Sequence, residues 1–418
     1  MSLTRATFPT GAPTFDPRHS RKILAQRISL REQIDALLAE GISGAIERER
    51  TEFDKLTGRF KDSLVLFGAR KLGRKTLAGL RAAGIEPLAF TDNNTGLWGV
   101  SIDGLPVLSP QDAARRFGPE AAFVITVWGY GSSDSMRQRV RRLQELGCKT
   151  VVTFVPLFWK YASFLLPHNA LTLPHYVHEQ SAHIAHCFEV LSDEQSRREF
   201  VAQITWRVTG DFDALSDPVG DEIYFPHEVA PLKSPEVFVD CGAYDGDTIL
   251  RFVARKEGSF QKIFAFEPDP SNLAALENTV SGLSVGDRQR IRILPYAVGA
   301  QNGTVRFAAT GTDGAAVGCG ELKIGCVRLD DALESEAPTY VKMDIEAAEP
   351  DALRGAWNLI RRHSPVIAAC SYHVQDHLWT IPLLINEIDP RYRILLRQHI
   401  QLVEDLVCYA VPPERFVA

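Results

Sequence analysis

No run of about eighteen apolar residues occurs in this sequence, so no stretch of it reads as a membrane-spanning helix. The most apolar segment, PLFWKYASFLL (Pro156–Leu166), is short and broken by Lys160, which predicts core or interface packing. An N-terminal signal pattern is lacking as well. Cysteine is scarce: seven in 418 residues, an odd number with no C-x-x-C pair. That fits a reducing compartment, the cytoplasm, better than a disulfide framework. Cys319 and Cys326 are read as incidental, not as a metal pair. Basic excess is also missing. The net charge of −6 argues against general affinity for nucleic acid, and the run Arg137–Arg142 is spaced as a solvated helical face.

What is present is the composition of a soluble globular protein, 45% hydrophobic and 23% charged. A chain of 418 residues exceeds what one core serves, so two domains are expected. The segments are 1–60 (a tail without periodicity over 1–20, then amphipathic helices), 61–152, 153–233 (a helical connector) and 234–418.

The chain is organised around VFVDCGAYDGDTILRFVARKEGSFQKIFAFEPD, Val237 to Asp269. Strand, glycine-bearing turn, helix and a second strand ending on Glu267 make a βαβ unit suited to a nucleoside-containing cofactor. Charge indicates which one. A dinucleotide places its pyrophosphate on the helix N-terminus, where anions are favoured. Here the turn carries Asp240, Asp245 and Asp247 and no Lys or Arg. Such a turn repels a diphosphate and suits a ligand with an ammonium and a sulfonium, S-adenosylmethionine. The spacing D-x-G-x-x-x-G, with Gly242 and Gly246, also departs from the dinucleotide fingerprint. Asp240 and Asp245 are expected to orient the ammonium end. Gly242 and Gly246 let the backbone approach, and Glu267 takes the ribose hydroxyls.

Three motifs in order, Glu236–Thr248 with its Gly242-Ala243-Tyr244-Asp245-Gly246 loop, Phe266-Glu267-Pro268, and VKMDIEAAE (Val341–Glu349), resemble the FkbM family of S-adenosylmethionine-dependent methyltransferases. The resemblance covers about Tyr224 to Pro412. It implies a seven-stranded class I methyltransferase sheet for the C-terminal domain, which with the upstream unit over 61–152 makes an α/β chain of two Rossmann-like domains. It also implies O-methylation of a small-molecule or sugar-bearing acceptor, and adds Ala243, Tyr244 and Pro268 to the cofactor loop. The family's usual glycine after D-[IV]-E is Ala347 in this chain.

The strand Thr339–Ile345 ends in Asp344-Ile-Glu346, and the strand Val366–Ser371 delivers His373 to the same rim. Methyl transfer from a sulfonium is an in-line displacement that needs a positioned acceptor and a proton acceptor. His373 and Asp344 are the candidate bases, with Glu346 beside them. Asp344 is alternatively a ligand for a divalent cation that polarises the hydroxyl, although no standard metal motif stands out. The connector histidines His175/His178 and His183/His186 are read as packing groups, not ligands.

Upstream, LVLFGARKLGRKTLAGLRAAG forms a second nucleotide-type turn, its charge opposite to the downstream one. This unit reads foremost as a structural or docking domain; a nucleotide or nucleotide-sugar site at Gly68, Arg70, Lys71 and Gly73 is the next reading, and dinucleotide binding, which Arg70 disfavours, the third. At the level of the whole chain, two other readings stand beside methyl transfer. One is an NAD-dependent oxidoreductase; the other is a nucleotide-sugar-binding protein with a vestigial methyltransferase site.

Overall fold

The computed structural model describes residues 28–128 and 135–416, apart from 221, 230, 234, 257–258, 313, 315, 319 and 401–402. The segment 1–20 and Cys319 lie outside the described residues. Two helices, Leu30–Leu38 and Gly41–Thr57, precede the first sheet. The first is closed by a capping box between Ser29 and Glu32.

The first α/β unit holds β1 (Leu64–Phe67), β2 (Ala89–Thr91), β3 (Ser101–Ile102), β4 (Leu105–Leu108), β5 (Ala122–Ile125) and β6 (Thr150–Thr153). They form one sheet in the order β3-β4-β2-β1-β5-β6, antiparallel only between β3 and β4. All four residues of β1 and of β5 are buried, as expected of parallel strands covered on both faces. The apolar stretch from Pro156 packs into this unit's core, where Phe154, Leu157, Phe158 and Trp159 are buried.

Helices between Phe154 and Thr209 connect the halves. The longest, Glu194–Thr209, starts on an Asp193 cap and stops at Gly210, which is left-handed at φ 68°. Its Trp206 joins the first core, whereas Phe200, Ile204 and Val208 join the second.

The second unit contains β7 (Val237–Cys241), β8 (Lys262–Phe266), β9 (Ile291–Leu294), β10 (Ala297–Val298), β11 (Gly303–Ala308), β12 (Ala316–Val317), β13 (Leu322–Val327), β14 (Tyr340–Met343), β15 (Val366–Cys370), β16 (Arg393–Gln398) and β17 (Leu406–Val411). The main sheet runs β16-β17-β15-β14-β7-β8-β9, with β17 antiparallel to both neighbours. Val237, Val239 and Cys241 face one core layer and Phe238 the other, the two-residue period of a sheet covered on both sides. Edge strand β16 is capped by the connector: Ser192 N donates to Ile394 O at 2.8 Å, and Leu396 N donates to Ser196 Oγ at 2.9 Å.

The apolar run Ile291–Val298 divides: β9 stays in the main sheet while β10 pairs with β13 in a separate four-stranded sheet, order β10-β13-β11-β12. Pro295 sits at the break and has no N–H to continue the ladder. Among the described residues no helix is long and apolar enough to cross a membrane.

Candidate active site

Strands β7, β8, β14 and β15 are parallel, so their carboxyl ends share one rim of the sheet. A cavity of about 360 Å³ opens there, within the range of small-molecule sites. Gly242, Tyr244, Asp245, Glu267, Pro268, Asp344 and Glu346 line it. On the β8–β11 side the wall is Phe266, Tyr296, Ala297, Val298 and Phe307; on the β14–β17 side it carries Asp344, Glu346 and Asp405. The cavity is thus apolar at one end and acidic at the other, with Glu267 on its wall.

The turn after β7 is held by close approach of two chains. Gly242 has φ 81°, and a Cβ built there would stand 1.9 Å from Asp344 O. Only glycine fits. Gly246, at φ 90°, lies behind the wall, where a Cβ would press on Leu276 and Thr279 at 3.0 Å. Ala243 is likewise buried in the core behind. Glu267 bridges the loops: Oε2 accepts from Tyr244 N and Oε1 from Asp269 N, both at 2.9 Å. Burial raises its pKa, against the pull of those two N–H groups. Asp269 caps the helix Pro270–Ser281 and also accepts from Gly311 N at 3.0 Å, which ties the glycine-rich stretch to this end of the site.

Asp240 does not reach the cavity. It is fully buried, 3.0 Å from Lys342 Nζ, and Lys342 also donates to Gly242 O at 2.6 Å. Burial pushes Asp240 up to about 6 despite that partner. Burial works against the charge on Lys342 too, yet Asp240 and Asp344 hold its pKa above the usual lysine range. The turn itself has no basic residue, but Lys342 from β14 and Arg251 from the following helix both reach the cavity. Arg251 is paired with Asp247 at 2.8 Å. Fold proximity therefore supplies Lys342, which the local sequence does not show, and each cation is matched by an acid.

At the acidic end Asp344 Oδ2 accepts from Tyr224 OH at 2.7 Å, while Oδ1 lies 3.3 Å from His373 Nε2. Burial opposes its ionisation, but His373 and Lys342 hold its pKa well below the usual carboxylate range. Glu346 Oε1 is also 3.3 Å from His373 Nε2, and Glu349 Oε1 is 2.8 Å from Nδ1. Burial lowers the His373 pKa, and Glu349, Asp344 and Glu346 together raise it well above the ordinary value. The three carboxylates favour the protonated ring.

Strain concentrates here. Among the described residues eight non-glycines have positive φ, and Tyr224, Tyr244, Glu346 and Asp405 line the cavity. Sequence reasoning missed Tyr224, Glu349 and Asp405 as site residues. Glu349 alone had a local signal, lying one helical turn past Glu346 in the same motif.

In the first unit, Gly73 is required by packing, since a Cβ there would meet Gly68 O at 1.9 Å. Arg70 and Lys71 are exposed, Arg74 pairs with Asp103 at 2.8 Å, and Lys75 Nζ donates to Pro167 O at 3.1 Å. Ala69 N, an amide that a bound phosphate would use, donates instead to Asp92 Oδ2 at 2.9 Å. The connector histidines pack: His175 bonds Glu49 at 2.9 Å and His183 bonds Gln180 at 2.8 Å.

Residues 240–393 match the family model described as the methyltransferase FkbM domain. The crystal structure of methyltransferase FkbM from Methylobacillus flagellatus KT superposes on 91% of this chain and 100% of its own, at 20% identity and TM-score 0.75, which shows a shared fold. An rRNA methylase from Streptococcus thermophilus is 14% identical over 43% of this chain and 89% of its own, with TM-score 0.28. Precorrin-6y C5,15-methyltransferase from Geobacter metallireducens GS-15 is 11% identical over 43% and 82%, also with TM-score 0.28. Similarity that low carries no argument. No curated protein matches. The C-terminal part of this chain, over residues 240–393, is a methyltransferase FkbM domain.

Proposed function

We propose that the cavity binds S-adenosylmethionine and transfers its methyl group to a hydroxyl oxygen of a small-molecule or sugar-bearing acceptor. The observation that carries this reading is the cavity's division into an apolar end, Glu267, and an acidic end. A nucleoside with a cationic tail has the same order of parts: a base for the apolar wall, ribose hydroxyls for Glu267, and a sulfonium and ammonium for the carboxylates. In this reading Asp245 reaches the ammonium, while Gly242, Ala243, Tyr244, Gly246 and Pro268 shape the loops. Asp240 acts from behind, fixing Lys342 against the Gly242 carbonyl.

The acceptor oxygen forms its bond to the methyl carbon as the S–C bond breaks, and the sulfonium leaves as a neutral thioether. Asp344 positions the hydroxyl. Glu346, partly exposed on the cavity wall, receives its proton, and His373 offsets the charge of both. The first unit and the connector close the acceptor side, since Trp128 of the one and Asn169 of the other bond Glu404 beside the cavity residue Asp405. A nucleotide or nucleotide-sugar at Gly68, Arg70, Lys71 and Gly73 has weaker support, because Asp92 already takes the Ala69 amide.

Calorimetric titration and thermal shift with S-adenosylmethionine, S-adenosylhomocysteine, NAD and nucleotide-sugars test the reading, since a ligand of the native state raises the melting point. Binding of the first two supports it. NAD binding without them overturns it, and silence from every nucleotide-sugar removes that role from the first unit.

A further inference from the structure

Three carboxylates converge on the His373 ring beyond the ends of β14 and β15, with His377 Nδ1 3.4 Å from the far oxygen of Glu349. Asp344 Oδ1 and Glu346 Oε1 each lie 3.3 Å from His373 Nε2. That nitrogen belongs to a side chain only 5% exposed, yet has no aligned hydrogen-bond partner. Behind the ring, Nδ1 faces Glu349 Oε1 at 2.8 Å, and Glu349 is wholly buried and pinned further by Ile345 N at 2.9 Å. A carboxylate that takes the proton of one imidazole nitrogen aims the lone pair of the other away from itself. Proteins fix metal-binding histidines in this way. Here the lone pair points between two carboxylates that line the cavity. Donor atoms of Asp344, Glu349 and His373 all fall within 4.8 Å of one another, the one such cluster found among the described residues.

We propose that Asp344, Glu346 and His373 Nε2 bind a divalent transition-metal cation, with Glu349 as the positioning residue for the ring. The spacing fits. Two ligands on adjacent corners of a metal with bonds of about 2.1 Å stand about 3 Å apart, close to the 3.3 Å found here. The donor set narrows the ion. Carboxylates alone favour Mg²⁺ or Ca²⁺, imidazole favours borderline ions, and the mixture without thiolate suits Mn²⁺ or Zn²⁺. The cation would polarise the acceptor hydroxyl, a role that rests on the methyl-transfer reading; the binding itself does not. The alternative occupant of the same space is a second proton on His373.

The test uses the full chain stripped with EDTA and titrated calorimetrically with Mn²⁺, Zn²⁺ and Mg²⁺, alongside a separate titration with S-adenosylhomocysteine. One equivalent of Mn²⁺ or Zn²⁺ is expected per chain, with Mg²⁺ about tenfold weaker or more. Glu346→Gln and Asp344→Asn should weaken Mn²⁺ binding more than Glu349→Gln, which should cost about 10–100-fold. Glu349→Gln should leave S-adenosylhomocysteine affinity unchanged, and excess Mn²⁺ should restore its turnover. Equal Mn²⁺ affinity in wild type and all three variants overturns the site, as does absence of any binding. S-adenosylhomocysteine bound by a protein that ignores all three metals sinks the cation alone. Metal binding without S-adenosylhomocysteine binding keeps the site and removes its methyl-transfer role.

Discussion

Lys342 reaches across from β14 to lie 3.0 Å from Asp240 on the adjacent β7, both side chains nearly inaccessible to water. A buried pair of this kind adds little net stability, because desolvation offsets most of the attraction, but breaking it strands a charge. Lys342→Met or Asp240→Asn alone should therefore cost about 3–5 kcal/mol in urea unfolding. The double variant should cost clearly less than the sum, the mark of a shared contact. Additive losses would show that each group has an independent role.

Ala347 stands at φ 79° directly after Glu346 at φ 50°. An L-residue in that region is strained by about 1–2 kcal/mol, and glycine is not. Allowing for the greater freedom glycine has in the unfolded chain, Ala347→Gly should gain about 0.5–1 kcal/mol. Glu346→Gly should relieve strain similarly, yet turnover should collapse because the cavity loses a carboxylate. Chemical denaturation and a methyl-transfer assay, run on both variants, separate stored strain from function.

How much of this could be seen in the chain itself depends on how far apart the partners lie. The turn from Asp240 to Gly246, Glu267 and the Asp344–Glu346 pair are local patterns at strand ends, and the structure places them along one rim. Tyr224 bonds Asp344 across 120 residues, and no local spacing predicts such a meeting. His373 looks like a free base in sequence because its pKa depends on Glu349, Asp344 and Glu346, which only the packed loops bring together. Asp240 looks like a cofactor ligand because nothing local shows that Lys342, one strand over, reaches it first.

Asp405 gives a pH dependence. Burial, with Asp344 and Glu404 nearby, pushes it up to about 6, while His373 and Tyr372 pull the other way. An unfolded aspartate titrates near 3.9, so between about pH 4 and 6 the native state holds a proton that the unfolded state has released. Stability therefore falls as pH rises through that window, and the cost is complete above it. In EDTA-treated protein, Asp405→Asn should add about 1–3 kcal/mol at pH 7.5 and nothing below pH 4. Asparagine also tolerates the φ of 53° at this position. A gain that does not vary with pH would show that charge is not its source.

Glu267→Gln isolates the ribose contact. The carboxylate meets Tyr244 N and Asp269 N at 2.9 Å, and the amide keeps one acceptor oxygen, so the loops lose one bond. A hydrogen bond to a charged group is worth about 1.5–3 kcal/mol, which predicts S-adenosylhomocysteine affinity lower by about 10–150-fold. Unchanged affinity by calorimetry would take Glu267 out of the cofactor site.

The two units meet at Glu404, whose Oε1 accepts from Trp128 Nε1 at 2.6 Å and from Asn169 Nδ2 at 3.1 Å. Thr172 also donates to Gln375, two residues past His373. These bonds set the first unit against the acidic end of the cavity and not against its apolar end. Glu404→Ala would leave the indole N–H of Trp128 without its acceptor and loosen that wall, while every residue assigned to the nucleoside stays in place. The expected result is a higher KM for the acceptor, a fall in kcat/KM of about 10-fold for each 1.4 kcal/mol lost, and an unchanged affinity for S-adenosylhomocysteine. If acceptor KM is unaffected, the contact joins two units that work separately, and the acceptor is bound by the C-terminal unit alone.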